Sequence, residues 1–180
     1  HAGALGMEVA EGTGVPRDEA QAATWYRKAA DAGDVEGLYK LATLYAEGSG
    51  APQDEAEAAT WWRKAAQQGS APAGNSLGIL YDQGRGVPKD SAQAVGWYRK
   101  AAEQGFAPAQ FNLGNCYYNG RGVAEDKAMA LELFRKAAEQ GLVNAQTVLG
   151  DLYADGDGVA ADPAQAATWY RKAADQGFAA

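Results

Sequence analysis

The sequence holds one cysteine, Cys116, and one histidine, His1. A single thiol closes no internal disulfide, and the redox compartment stays open. Cys116 lies among apolar residues at helical spacing, the setting of a buried, inert thiol. One histidine at the start of the chain removes His-based triads and His-rich metal sites. Basic charge is also short: 16 Lys and Arg face 23 Asp and Glu, a net charge of −7. A surface of that sign does not neutralise phosphates, so neither nucleic acid nor an anionic membrane is an expected partner. No long uncharged apolar run occurs, so no membrane insertion is expected. There is no signal-peptide pattern. A start at His1 rather than Met is expected of a chain processed, tagged or cut from something longer. Cytoplasmic, periplasmic and secreted locations all remain compatible.

What is abundant is glycine, 23 residues, and it is periodic. "YDQGRGVPKD" (81–90) places Gly84 and Gly86 ahead of a helix start, the outline of a phosphate-binding loop. Four relatives recur at a spacing of 36: Gly12-Thr13-Gly14-Val15, Gly48-Ser49-Gly50-Ala51, Gly120-Arg121-Gly122-Val123 and Gly156-Asp157-Gly158-Val159. An aspartate follows each in phase (Asp18, Asp54, Asp90, Asp126, Asp162), then an apolar pair such as Trp97-Tyr98, then Arg-Lys-Ala-Ala, then a closing glycine such as Gly105. Five frames, 1–36, 37–72, 73–108, 109–144 and 145–180, account for the chain as one domain.

Each frame reads as two helices. The second is predicted from an N-capping Asp, a proline in the first turn at Pro163, cations near the end and a C′ glycine. Ala94, Trp97, Tyr98 and Ala101 share its buried stripe. The first helix is predicted over about 73–83, with Ala73, Leu77, Leu80 and Tyr81 on one face. Small residues at Ala42, Gly78, Gly114 and Gly150 let a second helix approach. One hairpin cannot bury both its aromatic and alanine stripes, whereas stacked copies can, and that predicts an all-α solenoid.

The recurring pattern, carried in frame three by Ala73, Leu77, Gly78, Tyr81, Gly84, Gly86, Val87, Asp90, Ala94, Trp97, Tyr98, Lys100, Ala101, Ala102 and Gly105, resembles the Sel1-like repeat, a relative of the tetratricopeptide repeat. The resemblance implies a right-handed superhelix of antiparallel helix pairs that binds other proteins. Glu8 and Val9 replace Leu80 and Tyr81 in the first frame, which makes its first helix atypical. Leu133-Phe134 replaces the aromatic pair in the fourth.

A phosphate site is expected once, with G-K-[ST]; here the glycine loop recurs five times, and Thr13, Ser49, Arg121 and Asp157 replace Arg85. The glycines are therefore expected to turn the chain. Asp151, Asp155, Asp157 and Asp162 cluster in the last loop but lack calcium-loop spacing, so no metal site is expected. No catalytic residues and no cofactor are expected. The aromatic ladder is expected to be core rather than a base-stacking platform.

The face of the first helices that the repeat leaves variable is the candidate site. It comprises Tyr39, Thr43, Asn75, Ile79, Asp82, Phe111, Asn115, Tyr118, Asn119, Asp151 and Asp155. The resemblance implies that this face lines a concave groove. Tyr39, Ile79, Phe111 and Tyr118 are large groups that the core is not expected to require. The frames carry −4, −1, +1, 0 and −3. A partner segment is therefore expected near Phe111 and Tyr118, with basic residues reaching Asp151 and Asp155. The expected function is a protein-binding scaffold or adaptor. Two alternatives stay open: an enzyme acting on a cell-wall or β-lactam substrate, and an element that stacks end to end, for which a longer array or self-association is expected.

Overall fold

The computed structural model describes residues 2–11 and 18–177. The first glycine loop, Gly12-Thr13-Gly14-Val15, lies outside the described residues, as do His1 and the end of the chain from Phe178. Among the described residues there are ten α-helices and no strand. They are α1 (Ala2–Glu11), α2 (Glu19–Asp31), α3 (Val35–Glu47), α4 (Glu55–Gln67), α5 (Ala71–Gln83), α6 (Ser91–Glu103), α7 (Ala107–Tyr118), α8 (Lys127–Glu139), α9 (Val143–Asp155) and α10 (Pro163–Ala174). The chain divides into two compact units, His1–Asp90 and Ser91–Ala180. Within each, consecutive helices pack on one another.

The caps explain where the helices begin. Asp18, Asp54, Asp126 and Asp162 sit in extended conformation, and their carboxylates accept backbone N–H groups of the first turn of α2, α4, α8 and α10. Each such cap contributes about 1 kcal/mol. Ser70 adds a cap the sequence reading missed: its hydroxyl accepts from the Ala73 N–H, and α5 starts at Ala71 rather than at residue 73. α1 is a helix despite its atypical sequence. Val9 is buried in the place of the usual tyrosine, and Gly6 lets the Tyr26 ring close on the backbone. The packing of α2 thus supplies what local pattern lacks.

Gly84 and Gly86 do different work. Gly84 ends α5 in the left-handed conformation (φ 73°), its N–H donating to Leu80 O at 2.8 Å. Gly86 also has positive φ, 64°, but a Cβ there would lie 2.3 Å from the Glu55 carbonyl carbon. It is glycine because the loop rests directly on the first turn of α4 in the preceding repeat. Asp90 N–H then returns to Tyr81 O at 2.8 Å. The loop is a joint between neighbouring repeats.

A second joint is an Arg–Tyr ladder. Arg27 donates to the Tyr45 hydroxyl, Arg63 to Tyr81 at 2.8 Å, Arg99 to Tyr117 at 3.2 Å and Arg135 to Tyr153 at 2.9 Å. The arginine expected to serve only its own helix end also ties that helix to the next repeat. The neighbouring lysine folds back over the tryptophan three residues before it, as Lys64 does over Trp61 at 3.9 Å. Trp25 and Trp97 are only half-buried, so the stripe on which Trp97 was expected is not fully buried there, and Lys28 and Lys100 stand over their rings. Tyr26, Trp62, Tyr98 and Phe134 supply buried aromatic rings. Cys116 is fully buried, as a packing residue should be.

Candidate functional site

In the second unit, α7 and α9 flank α8, and small residues set the spacing. A Cβ on Gly114 would lie 2.7 Å from the Phe134 ring, and one on Gly150 would lie 2.4 Å from Tyr170. Phe134, 1% exposed, therefore sits under α7 as a floor. Phe111 and Tyr118 lean on it, with ring centroids 5.6 and 6.4 Å away. The expectation that the core does not require these two rings is corrected: both pack against the buried cluster of this unit. Their outer edges remain half-exposed.

A cavity of about 260 Å³ opens beside them, lined by Asn115, Tyr118, Asn119, Phe134, Val148, Asp151 and Leu152. Four of its lining residues, Asn115, Tyr118, Asn119 and Asp151, were expected at the site. Phe134, Val148 and Leu152 were not. Val148 takes the register of Lys40, Ser76 and Asn112, and no single frame marks that position as a wall.

Polar contacts fix the rim. The Tyr118 hydroxyl donates to Asp157, and Lys127 bonds the other oxygen of the same carboxylate. The Lys127 ammonium also stands 5.3 Å from the Tyr118 ring centre. The bond to Asp157 raises the Tyr118 pKa, and the bond from Lys127 lowers that of Asp157. The Tyr170 hydroxyl donates to Asp151 at 2.7 Å, and that bond pushes its pKa up to about 12. Asp155 adds negative potential at both Tyr118 and Tyr170. Asp151 thus lines the cavity, Asp157 bonds its Tyr118 with Lys127 engaged to the same carboxylate, and Asp155 follows one turn along α9 from Asp151. Asp162 is spent as the α10 cap. Among the described residues, no group of three or more His, Cys, Asp and Glu could hold a metal.

The other expected residues are placed differently. Tyr39 and Thr43 on α3 are half-buried, and the Thr43 hydroxyl donates to Tyr39 O at 3.0 Å. Ile79 and Asp82 on α5 are half-buried, whereas Asn75 is 9% exposed and offers almost no surface. Arg85, the variable member of the glycine loop, bonds Glu55, with Nε to Oε1 at 2.8 Å. Its counterpart Asp157 meets Lys127 in the same register with the charges reversed. The common spacing of thirty residues was the signal that would have revealed both pairs.

The repeat unit and its joints have known counterparts. The family model described as Sel1 repeat matches residues 4–34, 35–70, 72–106, 107–142 and 143–178. The chain is similar to the crystal structure of c5321, a protective antigen of uropathogenic Escherichia coli with an SLR fold. Identity is 39% and the TM-score 0.90, over 98% of this chain and 38% of that one. It therefore spans well under half the length of that relative. A Sel1 repeat protein from Oxalobacter formigenes is 37% identical with a TM-score of 0.92, over 98% and 72% of the two chains. Helicobacter pylori cysteine rich protein B is 26% identical with a TM-score of 0.59, over 74% and 96%. No curated protein matches the chain. With all five repeats matched and the helices arranged as in these solved structures, the protein is an all-α solenoid that belongs to the Sel1 repeat family.

Proposed function

We propose that this protein is a scaffold without chemistry of its own, and that it holds a segment of a partner protein on the α7–α9 face of its second unit. Repeat proteins of the Sel1 and tetratricopeptide type generally mediate protein–protein interactions. The observation that carries the assignment is the cavity of about 260 Å³ with an apolar floor and polar rim. Small-molecule sites generally occupy about 300–1,000 Å³. A smaller, open pocket on a helix face suits one side chain of a docked peptide. The phenols at its edge argue against catalysis. Carboxylate bonds raise the pKa of Tyr118 and Tyr170, which holds both protonated and unreactive.

A photo-crosslinking amino acid at Asn119 or Asp155 should capture a partner in lysate of the source cell, while the same group at the exposed α8 position Glu132 should not. Equal capture from Glu132 would overturn the face assignment. One observation favours the end-to-end reading: Leu5 on α1 is 41% exposed, a large apolar group outside the packed core. Sedimentation velocity over a hundredfold concentration range tests it. A constant monomer would remove it.

A further inference from the structure

The pocket carries two kinds of surface at different depths. Phe134, Val148 and Leu152 are apolar; Leu152 is 6% exposed and Phe134 1%, so the bottom is apolar. Asp151 lines the slot, Asp157 bonds its Tyr118, and Asp155, one turn further along α9, is exposed as Asp151 is. Lys127 is bound to Asp157. These four groups sum to two net negative charges beside an apolar slot. Among side chains, lysine and arginine match that anatomy: an aliphatic stem that packs on apolar surface and a charged head that stays at the wet edge. An acidic segment would meet like charge, and a purely apolar one would leave the carboxylates facing it uncompensated.

We propose that the occupant of the α7–α9 pocket is a lysine or arginine side chain of a basic peptide segment, its stem on Phe134, Val148 and Leu152 and its head at Asp151 and Asp155. This rests on the scaffold reading above and names the partner's chemistry. Asn115 and Asn119 stand on the α7 side of the slot; the Asn119 amide donates to Asn115 O at 2.8 Å, which leaves its side-chain oxygen to accept from the backbone of the bound segment. Tyr170 holds the Asp151 carboxylate in position by its 2.7 Å bond, which pre-orients the acceptor before binding.

The test is a random dodecapeptide phage library panned on the immobilised chain, with selected peptides measured by calorimetry. The expected selection is peptides with Lys or Arg beside an apolar residue. Their affinity should fall at least tenfold in Asp151→Asn and about fivefold in Asp155→Asn, which leaves the Tyr170 bond in place. It should also fall in 0.5 M salt and vanish in Asn115→Trp, which fills the slot. Circular dichroism confirms that each variant folds, and Val148→Arg, which places a cation in the slot, replaces Asn115→Trp if that variant does not. Neutral or acidic peptides that are lost in Asn115→Trp but indifferent to the aspartate changes would overturn the basic occupant and leave the scaffold face standing. Failure to select any peptide sensitive to Asn115→Trp or Val148→Arg would overturn both.

Discussion

In the first unit, the positions equivalent to Asn115, Tyr118 and Asn119 hold Thr43, Ala46 and Glu47, and those equivalent to Val148 and Asp151 hold Ser76 and Ile79. Trp62 stands where Phe134 forms the floor, and both are buried. The same backbone thus presents two different faces. On α3 and α5 the apolar group lies at a half-buried outer position, Ile79, and the small groups lie beside it. On α7 and α9 the order is inverted, with apolar groups at the bottom and carboxylates at the rim. The glycine-loop joints show the same freedom: Arg85 reaches back to Glu55 in the first unit, and Asp157 reaches back to Lys127 in the second. The second joint also recruits a groove residue, Tyr118. The repeat conserves geometry, and the positions it leaves variable decide what each face can bind.

The comparison of floors gives the largest expected effect. Phe134→Ala removes a ring that is 1% exposed and should cost about 3–5 kcal/mol, read by urea unfolding. Trp62→Phe should cost under about 1.5 kcal/mol, because a related shape is kept and a buried indole N–H with no acceptor among the described residues is removed. A Trp62→Phe loss as large as that of Phe134→Ala would show that the indole makes a contact this account lacks.

The two joints should differ next. At Gly86 a Cβ meets backbone at 2.3 Å, whereas at Gly158 the nearest atom is the Lys127 side chain at 2.9 Å. Both have positive φ, 64° and 71°. Gly86→Ala should therefore cost about 3 kcal/mol, left-handed strain plus overpacking. Gly158→Ala should cost about 1–2 kcal/mol, from the strain alone. Hydrogen exchange over α4–α5 and α8–α9 reads each joint separately. Equal exchange in the two variants would refute the difference.

Acid and base should both act on the second joint. The folded-state pKa of Asp157 is depressed by Lys127, so its contribution is present above the ordinary aspartate value near 4 and is lost as pH falls below it. The pKa of Tyr118 is raised, so its contribution is present below about pH 10 and is lost as pH rises through the raised value. Asp157→Asn should flatten both limbs of the pH–stability curve. The Tyr170 phenol should titrate at about 12, and Asp151→Asn should return it toward about 10, followed by carbon NMR of the labelled ring. An unchanged titration would remove the Tyr170–Asp151 bond.

The smallest effect belongs to charge exchange. Glu55→Lys together with Arg85→Asp gives the first joint the polarity of the second. Because these side chains are 24% and 48% exposed, the double change should alter stability by under about 1 kcal/mol. A larger loss would mean that the polarity of each joint is tied to its own surroundings.

Most of the architecture was legible in the repeat. Asp18, Asp54, Asp126 and Asp162 cap as their spacing implied, because capping is local and needs only a side-chain oxygen next to the first turn. Gly84 and Gly86 were legible as turn residues for the same reason. Contacts between repeats were less legible. The second role of Gly86, the Arg63–Tyr81 bond and the Asp157–Lys127 pair join residues thirty-one, eighteen and thirty positions apart, and only the stacked helices bring them together. The candidate face was found in outline, since Asn115, Tyr118, Asn119 and Asp151 line one pocket. Phe111 and Tyr118 were mistaken for groups outside the core, because a helical wheel does not show that Gly114 lets Phe134 rise beneath them.

The sequence by itself determined that the chain folds as in-phase helix pairs, that each pair must stack on its neighbours, and that its surface is acidic. Periodicity, caps and net charge are properties of single segments or simple sums, so they are readable without coordinates. Only the tertiary structure decided which variable residues share a pocket, which carboxylates are engaged by phenols and ammonium, and which glycine is needed for space as well as for turning. Those outcomes depend on distances between side chains from different repeats, set by how closely small residues such as Gly114 and Gly150 let the helices approach.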